Sequence, residues 1–278
     1  MNNNFKQPYI DPDIVLHKDN SLEKAPRQTN QIIDHLSPPP GSKILEIGCG
    51  EGLTVATLNL NGFDAYGIEP EDKYIENAQR ILEANGIDKD KIKKGLSEEL
   101  PFQEEEFDYV VSFQVLEHVG DVFKTLQETE KVLKKGGETL QFCPSYHSFR
   151  EGHFHVPMLP FMNKKMFYYW LKIINLITGK KIKFPYLDHL NFLKPKTLER
   201  DIFPKLEKLE LEEKAGEILK ERMRKNKSIF KKEISKQGKI SFGHRIVYFL
   251  EKIGLGRGVL FMIIKFRFYP QLVVYGKK

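Results

Sequence analysis

Ile44-Leu45-Glu46-Ile47-Gly48-Cys49-Gly50-Glu51-Gly52 decides how this chain folds. Ile44, Leu45 and Ile47 form a short apolar run, as a buried parallel strand does. Gly48, Gly50 and Gly52 follow at every second position, and Leu53, Val55, Ala56 and Leu58 continue with helical spacing. The order is strand, glycine turn, helix. Glycines allow tight or left-handed backbone and close approach of a ligand to the main chain. The helix start beyond them presents unpaired N–H groups. Such a turn cradles a nucleotide-like ligand at the carboxyl edge of a parallel sheet. By itself it is ambiguous: dinucleotide-binding turns read G-x-G-x-x-G, and the third glycine position here is Leu53.

The flanking residues narrow the choice. Phe63 to Glu69 reads as a second strand tipped by an acid, able to accept hydrogen bonds from both hydroxyls of a ribose. Phe107 to Phe113 reads as a buried fourth strand running into Gln114-Val115-Leu116-Glu117-His118-Val119. Val132 to Gly137 reads as a turn before a fifth strand, Glu138 to Cys143. Strands alternating with helices predict an α/β fold, doubly wound, with helices on both faces of a mostly parallel sheet.

The series ILEIGCGEG (44–52), GIEP (67–70), LPF (100–102), FDYVVSFQVLEHV (107–119) and LKKGG (133–137) resembles the class I S-adenosylmethionine-dependent methyltransferases. It is most similar to the branch with an LEHV segment after strand four, which includes the ubiquinone and menaquinone methyltransferases. The motifs span residues 42–144, about a third of the chain. The resemblance implies a Rossmann-like, seven-stranded sheet whose last strand is antiparallel, with helical insertions. It implies S-adenosyl-L-methionine as cofactor. Glu46, Gly48, Cys49 and Gly50 would line its methionine part, and Glu69 and Pro70 would hold the ribose. Ser97 and Glu98 fall at the adenine contact, with Leu96 in the place where many relatives have an acid. Gln114 would pass beneath the cofactor.

Four regions follow. Residues 1–41 are a polar lead-in with a helix near Arg27 to Leu36, ended by Pro38-Pro39-Pro40. Residues 42–144 are the cofactor-binding core. Residues 145–205 are an insertion carrying five prolines' worth of breaks and a helix near Asn163 to Thr178, and it reads as a substrate lid. Residues 206–278 hold the last two strands, Leu206 to Glu213 and Gln271 to Lys278, with 214–269 inserted between them.

Tyr146, His147, Arg150 and His155 follow strand five and are candidates to contact the acceptor. Methyl transfer to a hydroxyl needs a base, and His118 or His153 would serve, with side-chain pKa values near neutrality. For His118 the favoured reading is a helix-start histidine packed beside strand four, ahead of a base. His153 and His155 with one nearby glutamate are too few ligands for a metal site, so none is expected.

Charge divides the chain. Residues 1–144 carry 15 Lys+Arg against 26 Asp+Glu, and residues 145–278 carry 29 against 12. A basic half suggests an anionic partner, such as a phosphorylated or lipid-linked acceptor or an acidic membrane surface. The densest run, Lys220 to Lys232, precedes an apolar stretch, Ile240 to Tyr269, which fits either an amphipathic surface element or a packing helix. No nucleic-acid-binding motif is present. Two cysteines and the absence of an apolar N-terminal segment point to a cytoplasmic protein, peripherally membrane-associated if the basic half docks on lipid. The expected activity is O- or C-methylation of a small or lipid-linked acceptor. A nicotinamide- or sugar-nucleotide-dependent enzyme and a non-catalytic S-adenosylmethionine-binding homologue are the alternatives.

Overall fold

Strand β1, Lys43–Ile47, has four of its five side chains buried, because helices cover the sheet on both sides. It lies between β2, Asp64–Glu69, and β4, Phe107–Phe113, and pairs with both in parallel. The computed structural model describes residues 5–10, 13–14, 24–179, 182, 187–225 and 262–278. Among these, seven strands form one sheet in the order β3-β2-β1-β4-β5-β9-β8. β3 is Ile92–Lys94, β5 Leu133–Pro144, β8 Glu210–Glu213 and β9 Gln271–Lys277. β9 runs antiparallel to both of its neighbours, as the resemblance implies.

Helices α1 (Lys24–Leu36), α2 (Leu53–Leu60), α3 (Asp72–Ala84) and α4 (Val122–Val132) flank the sheet. Alternation along β1 divides the core: Ile44 joins a cluster with Ile32, Val55 and Ile81, whereas Leu45 and Ile47 join Phe102, Phe107 and Val132. The start of α4 follows from local chemistry. Asp121 caps α4 by accepting from the Lys124 N–H at 3.1 Å.

Two boundaries differ from the sequence reading. Residues 133–137 belong to β5 rather than to a turn before it. Leu133 pairs with Phe107, the register shifts, and the ladder resumes at Glu138 opposite Tyr109. Five steps along β5 oppose two along β4 here, so three extra residues bulge out, with Gly136 at φ +78° among them. β8 starts at Glu210, not Leu206, because Phe203–Lys205 forms a helical turn and the Lys208 N–H is taken by the Glu130 carboxylate.

The insertion after β5 builds a small core of its own. A two-stranded ribbon, β6 (Arg150–Glu151) and β7 (Val156–Pro157), precedes α5 (Lys164–Thr178). Tyr146, Val156, Met158, Met162, Phe167, Leu171, Ile174 and Leu187 pack together, separate from both sheet clusters. The insertion is fastened back by Asn191, whose side-chain amide donates to the carbonyls of Leu116 (3.0 Å) and Val119 (2.7 Å). The short helix α6, Pro195–Thr197, and α7, Ala215–Lys225, flank β8 in sequence. Most of the basic run and of the apolar stretch, residues 226–261, lies outside the described residues.

Candidate active site

The glycine turn is fixed by main-chain bonds that leave its inner face open. The Cys49 N–H donates to Ile68 O at 2.9 Å, tying the turn to the end of β2. Gly48 stands at φ +68°, and a Cβ there would fall 2.5 Å from Val115 Cγ2. Glycine is therefore required both by conformation and by the close approach of the loop after β4. That loop opens on Gln114, a non-glycine residue at φ +61° whose N–H is held by Phe142 O at 2.7 Å. Such a backbone costs roughly 1–3 kcal/mol and persists where the surroundings demand it.

A cleft of about 150 Å³ opens above the turn. Of the residues expected around the cofactor, Glu46, Gly48, Cys49, Gly50 and Gln114 line it. Glu46 is 3% exposed, and its Oε2 has no hydrogen-bond partner. Burial pushes its pKa up to about 8, with Thr54 beside it working in the other direction. A buried carboxylate oxygen left unpaired at a cleft is well suited to the ammonium of a methionine moiety. Glu69 sits at the rim of the turn, accepting from the Gly50 N–H at 3.0 Å and the Glu71 N–H at 3.2 Å. Burial raises its pKa as well, against those two donors. These features fit S-adenosylmethionine: an unpaired acid for the ammonium, a cradle that a side chain would fill, and an acid at the β2 tip. Pro70 follows Glu69 and is exposed.

Ser97 and Glu98 are engaged elsewhere. The Ser97 hydroxyl lies 2.8 Å from Glu98 Oε2, and Glu98 Oε1 accepts from the Gly120 N–H at 2.6 Å. Burial opposes ionisation of Glu98, yet these donors hold its pKa below the usual value. The pair ties the loop after β3 to the loop after β4, and neither residue lines the cleft.

The sequence reading missed one wall. Ala25, Arg27, Gln28 and Gln31 of α1 close the cleft, with the Thr54 hydroxyl donating to Gln28 Oε1 at 2.6 Å. The helix was legible, but its polar face pointed to nothing in particular without the fold. Gln271, at the start of β9, was likewise unpredicted.

A second group of polar side chains gathers beyond β4 and in the insertion. Glu117 is fully buried, and neither carboxylate oxygen has a hydrogen-bond partner. Burial pushes its pKa up to about 7. His118 Nε2 lies 3.9 Å from Glu117 Oε1, and the His118 and His153 rings meet edge to face at 5.3 Å. Burial lowers the His118 pKa. His153 Nδ1 is 2.7 Å from Glu151 Oε1, a hydrogen bond that raises the histidine's pKa against its burial. With Nδ1–H donating to Glu151, Nε2 carries the lone pair. Glu117, His118 and His153 offer ligand atoms all within 4.8 Å of one another, so this trio has the dimensions to hold a metal ion. Along the sequence His153 stands beside His155 instead, because Glu117 and His153 are 36 positions apart and only the fold joins them.

The four expected acceptor contacts divide. Tyr146 is 1% exposed and stacked on Phe192 at 4.0 Å, so it serves the insertion's core instead of facing an acceptor. His147 Nδ1 is 2.9 Å from Pro160 O, a bond internal to the insertion. Arg150 and His155 are exposed side by side on the ribbon, 3.5 Å apart.

The comparisons with known proteins agree with this geometry. Residues 45–140 match the family model described as a methyltransferase domain. Over this third of the chain the sequence is similar to a methyltransferase domain. The chain is 36% identical over 106 residues to a ubiquinone biosynthesis O-methyltransferase of Rhizobium etli, covering 37% of this chain and 42% of that protein. It is 33% identical over 138 residues to the human mitochondrial ubiquinone biosynthesis O-methyltransferase, covering 49% of this chain and 34% of that one. The chain thus matches less than half the length of these relatives. Among solved structures, the YcgJ protein of Bacillus subtilis superposes with a TM-score of 0.52 at 16% identity, over 91% of this chain and 98% of that one. These matches favour a methyltransferase over a nicotinamide- or sugar-nucleotide-dependent enzyme.

Proposed function

We propose that this chain transfers a methyl group from S-adenosylmethionine to a hydroxyl oxygen of a small or lipid-linked acceptor. The unpaired, buried Glu46 oxygen beside the glycine turn carries the reading. When bound, the cofactor supplies a sulfonium-activated methyl group. Glu46 would hold its ammonium, the main chain at Gly48 and Gly50 would let it approach, and Glu69 would turn from its two N–H partners to the ribose hydroxyls. The protein's share of the chemistry is alignment and exclusion of water. Relatives named for O-methylation in ubiquinone biosynthesis support a hydroxyl acceptor.

A hydroxyl acceptor must lose its proton. His153 would take it at Nε2, with Glu151 orienting the ring and holding Nδ1–H. The base works when neutral. Because its pKa lies above the ordinary 6.5, the rate should climb with pH through a limb above that value. Glu151→Gln should move this limb to lower pH and leave cofactor binding unchanged, while His153→Ala should remove it. Transfer of a radiolabelled methyl group to phenolic and lipid-extract acceptors tests the reading. Tight cofactor binding with no transfer to any acceptor would argue for a non-catalytic homologue. Loss of activity in chelator with rescue by a divalent ion would assign the Glu117, His118 and His153 trio to a cation and displace His153 as base.

A further inference from the structure

Helix α5 turns a continuous apolar face away from the protein. Its inner side, Phe167, Leu171 and Ile174, fills the insertion's core, and the Trp170 indole N–H donates to Pro157 O at 2.6 Å. The outer side repeats at helical spacing through Met166, Tyr169, Ile173, Leu176 and Ile177. Leu176 is 85% exposed, Ile177 77% and Tyr169 53%, and Phe161 just before the helix is 65% exposed. A face of this extent is unusual on an isolated soluble domain and marks an interaction surface.

The chemistry around the face identifies what covers it. No acid occurs anywhere in α5, and Lys165 and Lys172 are exposed along the same stripe. Lys172 Nζ lies 4.5 Å from the centre of the Tyr168 ring, so cation and aromatic present together. The sequence continues with Lys180, Lys181 and Lys183 directly after the helix. Exposed aliphatic side chains flanked by tyrosines and lysines, with no acid, match the apolar–polar boundary of an anionic bilayer. Fifteen residues of helix extend only about 22 Å, and no described helix is long and apolar enough to cross a membrane. The helix would therefore lie in the plane of the interface.

We propose that the outer face of α5 docks this protein on an anionic membrane surface. This places the contact on the insertion following β5, not on the basic run near the C-terminus. The proposal does not rest on the methyl-transfer reading, and its test needs no activity.

The test is flotation of the full chain with vesicles of phosphatidylcholine alone and with added phosphatidylglycerol. The protein should float with the acidic vesicles, and less so at high salt. Lys165→Glu with Lys172→Glu should weaken partitioning by at least tenfold, since each lysine near an anionic surface contributes about 1 kcal/mol. Leu176→Ser with Ile177→Ser should weaken it comparably while thermal unfolding stays unchanged, both side chains being exposed. Acidic-vesicle binding that survives both pairs of substitutions would overturn the proposal and return the contact to another basic surface. Failure to float, with a concentration-dependent dimer that Leu176→Ser and Ile177→Ser dissociate, would overturn it in favour of a second copy of this chain as the occupant.

Discussion

Glu46 shows how one residue can couple cofactor affinity to pH. In the ligand-free protein its pKa is pushed up to about 8, so near neutrality the side chain is mostly protonated. An ammonium placed against its unpaired oxygen favours the ionised form and lowers that pKa. Binding near pH 7 should therefore release a proton, and affinity should rise with pH until Glu46 is ionised without help. Titration calorimetry in two buffers of different ionisation enthalpy measures the release directly. Glu46→Gln should abolish it and weaken binding by roughly 1.5–3 kcal/mol, the range for a hydrogen bond to a charged group. Equal proton release in wild type and Glu46→Gln would remove Glu46 from the ammonium contact.

At the scale of elements, the insertion is a folding unit with its own contents. Phe167 is fully buried among residues that do not join either sheet cluster. Phe167→Ala should cost about 3–5 kcal/mol, as large-to-small core changes do, and the loss should stay local. Hydrogen exchange should quicken across 146–178 and 187–190 while the amides of β1, β2 and β4 keep their protection. Equal loosening of β1 would show that the insertion and the sheet unfold together.

The sheet was largely readable because each parallel strand is short, apolar and followed by a turn or helix start, as with Lys43–Ile47 and Phe107–Phe113. The third strand, Ile92–Lys94, was not readable: with three residues and one buried side chain it has no pattern to detect. The bulge at Gly136 reads as a turn in the sequence, because two adjacent glycines look the same in either role. The glycine turn and Glu46 were visible through local order. The Glu117, His118 and His153 cluster was not, since nothing along the chain relates a loop after β4 to a ribbon after β5. Asn191, which fastens the two, has no sequence signature at all.

For the whole molecule, pH and ligand act together on stability. Glu46 and Glu117 have folded-state pKa values near 8 and 7, raised by burial from an unfolded value of 4.5. The folded state therefore holds protons that the unfolded state gives up. Their contribution to stability is full below pH 4.5 and is lost as pH rises through 7 and 8. The ligand-free protein should melt at a lower temperature at pH 8 than at pH 6, by an amount on the order of a few kcal/mol in stability. The double variant Glu46→Gln, Glu117→Gln should flatten that slope. S-adenosylhomocysteine at about 100 times its Kd should add roughly 2.7 kcal/mol. An unchanged slope in the double variant would mean that neither carboxyl is protonated in the fold.

The position of β9 has a consequence for how the chain is made. Residues 271–277 do not extend the sheet at its margin; they enter between β5 and β8, bonding to both. Until a ribosome has released them, Glu210–Glu213 has no strand to lie against, and the β5 edge from Glu138 to Pro144 stands bare. A nascent chain can assemble the glycine turn and the strands around it early. Its far side must wait, and during that wait the naked β5 edge is where a chaperone, or another unfinished chain, would take hold.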